Sequence, residues 1–106
     1  MNLDEKMARV MNFTIIDDLH VINEYGEYVC DGTPWRPSTI MAWAMLVEDR
    51  IGELGLEMAY VHALIKICVT EFEMLDLLGV VKAWRLIHAT PEQRCLAAEK
   101  AMEGGK

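Results

Sequence analysis

The sequence predicts an α+β fold: a small α-β-α layered sandwich with an antiparallel or mixed sheet, the alternative being an all-α bundle. Three observations predict it. Apolar residues recur at helical spacing near both ends and in the middle of the chain. β-branched runs broken by turn residues lie between the first two of these segments. A second stretch of alternating apolar residues follows the middle helix. At 106 residues, the chain is expected to form a single domain, residues 1–106.

The elements follow in order. Leu3, Met7, Val10 and Met11 form a helical stripe, with Asn2 as cap and Glu5 in the capping-box position. Residues 14–16, 19–22 and 28–30 read as strands, with a turn at Tyr25, Gly26 and Glu27 and a loop from Asp31 to Pro34. A second helix follows Pro37, capped by Ser38 and stopped at Gly55. Its stripe is Ile40, Trp43, Ala44, Val47, Ile51 and Leu54. Residues 60–69 alternate through Val61, Ala63, Ile65, Ile67 and Val69, which predicts a strand. Residues 80–89 predict another, although a helical reading of 58–89 is open. Residues 71–78 read as a charged connection with a short helical turn, ending at Gly79. The last helix begins with Thr90 as cap, Pro91 in the first turn and Gln93 completing a capping box. Its Leu96, Ala97 and Ala101 suit close packing on a sheet, and the tail at 104–106 is expected to fray.

Composition narrows the function. A net charge of −7 opposes direct nucleic-acid binding, which relies on cations that neutralise phosphates. Cys30, Cys68 and Cys95 show no metal spacing and suit a reducing cytoplasm. Asp4 and Glu5 stand where a secretory leader would be basic, and no apolar run reaches a membrane span. Eight methionines are expected mainly as core fillers.

No catalytic residue and no metal site is predicted, and no cofactor. His20, His62 and His88 are isolated, whereas zinc takes about four converging ligands. Cys95 lies early in the last helix beside Arg94, with His88 upstream. This is the only nucleophile arrangement on offer, a cysteine-dependent hydrolase, and packing is the preferred role for Cys95. Adjacent acids such as Glu48 with Asp49 read as solvated surface. Two binding surfaces are expected instead. Asp17, Asp18, Glu24, Glu27 and Asp31 form a hairpin with no Lys or Arg, flanked by the Trp35–Arg36 pair, and together these would meet a basic partner. Met41, Met45 and Leu46 widen the second helix beyond its stripe and would support a homodimer.

Residues 35–48 (Trp-Arg-Pro-Ser-Thr running into Ile-Met-Ala-Trp-Ala-Met-Leu-Val-Glu) and 90–98 (Thr-Pro-Glu-Gln-Arg-Cys-Leu-Ala-Ala) resemble the phage ABA-sandwich domain of small phage and prophage proteins. Leu3-Asp4 through Met11-Asn12-Phe13 is similar to that family's first helix and its ending, and Tyr25-Gly26-Glu27-Tyr28 to its aromatic hairpin. The resemblance implies an α-β-α fold, two strands after the second helix and a phage or prophage origin, and it brings no enzymatic activity. The chain departs from the family in the long apolar stretch at 71–78. The expected function is a non-enzymatic protein of the host bacterial cytoplasm that binds a host macromolecule, as an anti-CRISPR inhibitor does. The alternative is a small-ligand or nucleotide-signal sponge, for which Arg36, Lys82, Arg85 and Arg94 are the available cations.

Overall fold

The computed structural model describes residues 1–75 and 79–104. Helix α1 (Leu3–Val10) opens the chain. The Asn2 side chain accepts a hydrogen bond from the Glu5 amide at 2.8 Å, as the sequence predicts. The helix stops at Asn12, whose positive φ of 59° lets the Phe13 amide reach back to the Ala8 carbonyl. Three antiparallel strands follow: β1 (Thr14–Asp17), β2 (His20–Ile22) and β3 (Tyr28–Asp31), in that spatial order. Val21 pairs with Ile15 on one side and Cys30 on the other, and buried Val21 and Cys30 anchor the inner face. Helices α2 (Met41–Glu53), α3 (Glu57–Cys68), α4 (Val80–Ile87) and α5 (Pro91–Gly104) complete the fold, with a single 3-10 turn at Glu73–Leu75. The protein is therefore of α+β class with an antiparallel sheet.

The helix ends follow local chemistry. Gly55, at φ +73°, ends α2 with the Leu56 amide bonded to the Ile51 carbonyl. Thr90 and Gln93 exchange side-chain-to-backbone hydrogen bonds of 3.1 and 2.9 Å, the predicted capping box of α5. Ser38 is not the cap of α2. That position falls to Ile40, whose side chain cannot cap, and the Ser38 amide donates to the Asp4 carboxylate at 2.8 Å instead.

The strands predicted at 60–69 and 80–88, which the family resemblance also implies, are the helices α3 and α4. The reason lies in packing. Tyr60 and Leu64 are buried, and Ala63, Ile67 and Cys68 pack partly against the core, at i, i+3, i+4, i+7 and i+8. That stripe coexists in the sequence with the alternation that begins at Val61. Of the predicted turn at 71–78, the structure shows the 3-10 turn, and residues 76–78 lie outside the described residues. Residues 105–106 of the predicted fraying tail also lie outside them.

Helix α5 is the axis of the core, with α1, α2 and α3 packed around it. Cys95, Ala97, Ala98 and Ala101 are all buried, so the small-residue face meets helices rather than the predicted sheet. The sheet is joined to the helices through α1, while α4 packs against α3 and the 3-10 turn and is bonded at its end by Arg94 of α5. Methionine fills little of the core. Met7 is fully buried, whereas Met1, Met41, Met45, Met58 and Met74 are exposed.

One polar network ties four helices together. Arg94 of α5 donates through Nη1 to Glu48 Oε2 of α2 at 2.7 Å. Tyr60 of α3 donates its hydroxyl to the same carboxylate oxygen. The remaining guanidinium nitrogens reach the carbonyls of Leu86, Ile87 and Ala89 at 3.1–3.2 Å, satisfying the open end of α4. Glu48 is thus a half-buried partner in this network and not merely the solvated acid that the sequence suggests. Burial and the Glu48 charge push the Tyr60 hydroxyl far above its ordinary pKa, so it remains a donor.

Replacing Arg94 with Met should cost about 2–4 kcal/mol, because it strands Glu48 and three carbonyls. Lys100→Ala removes an exposed 3.8 Å pair with Glu103 and should change stability by less than about 1 kcal/mol. Urea unfolding of both variants measures the difference, and equal midpoints would remove the network from its structural role.

Candidate functional site

The β1–β2 turn is held by its own acids. Asp17 Oδ1 accepts from the Leu19 amide at 2.9 Å and lies 2.7 Å from His20 Nδ1. The other His20 nitrogen lies 3.4 Å from Asp31 Oδ1, so one imidazole links the turn to β3. The Leu19 amide bond, with His20 second, lowers the Asp17 pKa below its ordinary value. The next turn rests on Asn23, whose side-chain oxygen accepts from the Tyr25 and Glu27 amides at 2.9 and 3.0 Å. This leaves Asp18 and Glu24 exposed, with no ion pair among the described residues. Glu27 is exposed too.

Between this hairpin and α1 runs a groove of about 990 Å³. Asp4, Glu5, Asp17 and Asp18 line it together with apolar Ile15 and Leu19, and Arg9 and Arg36 also border it. Asp4 connects the groove to the core. Its carboxylate takes the Ser38 amide, and its carbonyl takes the Trp35 indole N–H at 2.8 Å.

The predicted partner-binding residues thus separate. Asp17 and Asp18 face the groove, while Glu24, Glu27 and Asp31 stand on the hairpin outside its lining. Trp35 requires correction, because it is only 6% exposed. It packs edge-on against Phe13 and tilted against Trp43, with ring centroids 5.3 and 5.2 Å apart. A large aromatic at the junction of α1, the hairpin and α2 is needed there as core, and it does not serve as an exposed anchor. Arg36 beside it is exposed. Met41, Met45 and Leu46 are each about two-fifths exposed, on a face of α2 turned away from buried Ala44, Val47 and Ile51.

The residues considered for chemistry are otherwise engaged. Cys95 is fully buried, and desolvation, with Asp4 and Glu92 contributing, pushes its thiol up to about 12. Helix position alone predicts the opposite shift, and burial overrides it. His88 stacks on Trp84 at 4.0 Å with Nδ1 against the Trp84 carbonyl. Of the four cations considered for a small ligand, Arg94 is consumed by the interior network and Arg85 pairs with Glu73 at 2.9 Å. Among the described residues, no three His, Cys, Asp or Glu side chains converge as metal ligands. No described helix is long and apolar enough to cross a membrane.

The role of Asp4 was not legible in the sequence, because its partners lie more than 30 positions away. A fully apolar outer face on α4 was hidden by the strand reading. Comparison with known proteins adds no relative: no family model, curated protein or solved structure matches the chain.

Two measurements check these assignments. Brief alkylation of the native protein should label Cys68, which is half-buried, ahead of the fully buried Cys30 and Cys95; desolvation raises all three thiols, so access sets the order. Rapid native labelling of Cys95 would reopen the nucleophile reading. In a carboxyl NMR titration, Asp17 should have its midpoint below the ordinary 3.8. A lowered folded pKa means that its contribution to stability is complete above about 3.8–3.9 and is lost as pH falls through the folded value. An Asp17 midpoint at or above the ordinary 3.8 contradicts the turn geometry.

Proposed function

We propose that the chain works by binding, docking a protein partner of basic character in the groove between α1 and the β1–β2 hairpin. The observation that carries this is the groove's lining. Four carboxylates from two separate elements border it beside exposed Ile15 and Leu19, in a chain of net charge −7. Acids on both walls would steer a cationic segment, and the apolar residues would give it buried area. The resemblance to phage ABA-sandwich proteins supports a setting, the host bacterial cytoplasm, and a kind of target, a host macromolecular complex such as a defence complex. On this reading the protein inhibits by occupying the target and performs no reaction. The small-ligand alternative retains only Arg36 and Lys82 of its four cations and has less to support it.

The test uses charge reversal with a matched control. Glu5 and Asp18, one on each wall of the groove, are exposed and, unlike Asp4 and Asp17, hold no loop or turn through their carboxylates, so they can be changed to Lys together. Asp49 and Glu57, exposed on α2 and α3, make the control pair. Native mass spectrometry of the protein recovered from its host cells identifies the partner. The groove pair should then weaken binding of that partner more than about tenfold, with a steeper salt dependence for wild type than for the variant. Equal effects of the two pairs would reduce the groove to solvated surface.

A further inference from the structure

Of the two edge strands of the sheet, β1 borders the acidic groove and β3 does not. The strand order leaves β1 a single neighbour, β2, and Thr14, Ile15 and Asp17 line the groove. All four residues of β1 are exposed. Among the described residues, their backbone groups bond only within the sheet. The amides and carbonyls that face away from β2 are therefore open to another strand.

The side chains along this edge alternate in chemistry. Ile15 pairs with Val21 and Asp17 with His20. Val21 and His20 are consecutive in β2, so they point to opposite faces of the sheet. Ile15 shares the inner face with buried Val21, and Asp17 shares the outer face with His20. A strand laid along β1 meets an aliphatic side chain on one face and a carboxylate on the other. Cross-strand neighbours are favourable when apolar meets apolar and when charges are opposite. Asp18 extends the acidic end beyond β1, and Glu5 stands on the other wall. Carboxylates outnumber guanidiniums along the lining by four to two, the two being Arg9 and Arg36.

The same edge disfavours a second copy of the chain. Pairing two β1 edges brings the Asp17 and Asp18 carboxylates of two protomers together, each protomer carrying a charge of −7. The bulge between Ile15 and Asp17 keeps any ladder short. The edge is also fixed in advance. Asp17 takes the Leu19 amide, and the Gly32 amide donates to the Leu19 carbonyl at 2.9 Å, which ties the β1–β2 turn to the end of β3. A preformed edge loses little freedom on pairing.

We propose that the occupant of the groove is an extended segment of the partner, alternating aliphatic and cationic residues, that adds to β1 as a fourth strand. This occupant presupposes the basic partner proposed above and gives it a conformation. Main-chain bonds to β1 supply affinity, and side chains on alternate faces supply selectivity.

The probe is a capped peptide of about eight residues alternating Lys and Val, long enough for one strand. Its twin, N-methylated along the backbone, keeps the charges and side chains and donates no hydrogen bond to a strand edge. NMR of the full chain should show the parent peptide slowing exchange of β1 amides that face away from β2. The twin should bind about tenfold or more weakly, the equivalent of losing one or two backbone bonds. Glu5→Lys with Asp18→Lys should weaken the parent by at least about tenfold. Circular dichroism checks that this variant keeps its helix content, and Asp18→Asn replaces it if it does not. Equal binding of parent and twin, both weakened by the groove variant, overturns strand addition and leaves the basic partner standing. Protection of β3 amides in place of β1 also overturns it. A parent peptide that fails to bind, or that binds wild type and the groove variant alike, overturns both.

Discussion

The fold depends on what one guanidinium can reach. Arg94 sits at the point where α2, α3 and the end of α4 converge on α5, and it bonds to a carboxylate and three carbonyls. Only a planar fork with several fixed donors serves so many acceptors at once; a lysine ammonium could not span them. Helix α4 buries no residue, and this guanidinium bonds its end to the bundle through the Leu86 and Ile87 carbonyls. The same device recurs in smaller form at α1, where Arg50 of α2 donates to the Val10 carbonyl at 3.3 Å. In both places an arginine from another helix, Arg94 from the next one and Arg50 from 40 positions away, does for a helix C-terminus what a capping side chain does for an N-terminus.

What was legible in the sequence is what is local. Asn2, Gly55 and the Thr90–Gln93 pair act on amides and carbonyls within a few positions, so their roles appear as short motifs. The β1–β3 hairpins were legible for the same reason. The exposure of the hairpin acids Asp18, Glu24 and Glu27 was legible as well, because exposure of a charged turn needs no knowledge of distant packing. The strand reading of 60–69 failed where two periods overlap: Val61, Ala63, Ile65, Ile67 and Val69 alternate, while Tyr60, Leu64 and Cys68 repeat every fourth residue. Which period prevails is decided by the partner, and the partner is α5, some 30 residues later. Glu48 shows the same limit in polar form. Beside Asp49 it resembles any surface acid, and only the arrival of Arg94 and Tyr60 makes it a half-buried structural one.

The hairpin and α4 surfaces differ in their side chains. The hairpin end concentrates carboxylates around half-exposed aliphatic residues, whereas the α4 end presents aromatic and aliphatic side chains beside Glu71, Glu73, Lys82 and Arg85. They are carried by different elements, with the helical core between them, and the 47 Å long axis leaves room for separate contacts. Exposed methionines on α2 and α3 add polarisable, adaptable surface between the two. A chain this short therefore spends little of its sequence on a second core layer and much of it on display.

The central position of α5 bears on how the chain comes to be folded in a cell. Lys6 of α1 meets Glu99 of α5 at 2.9 Å, across 93 positions. The helices α1, α2 and α3 emerge from the ribosome before the element that they enclose. At about 5–20 residues per second, the apolar stripes of α1 to α3 wait several seconds for their common partner. During that interval Met7, Val47, Ile51 and Leu64, all buried in the finished protein, have no adequate place to go. Docking of α5 is the step that takes these side chains out of water.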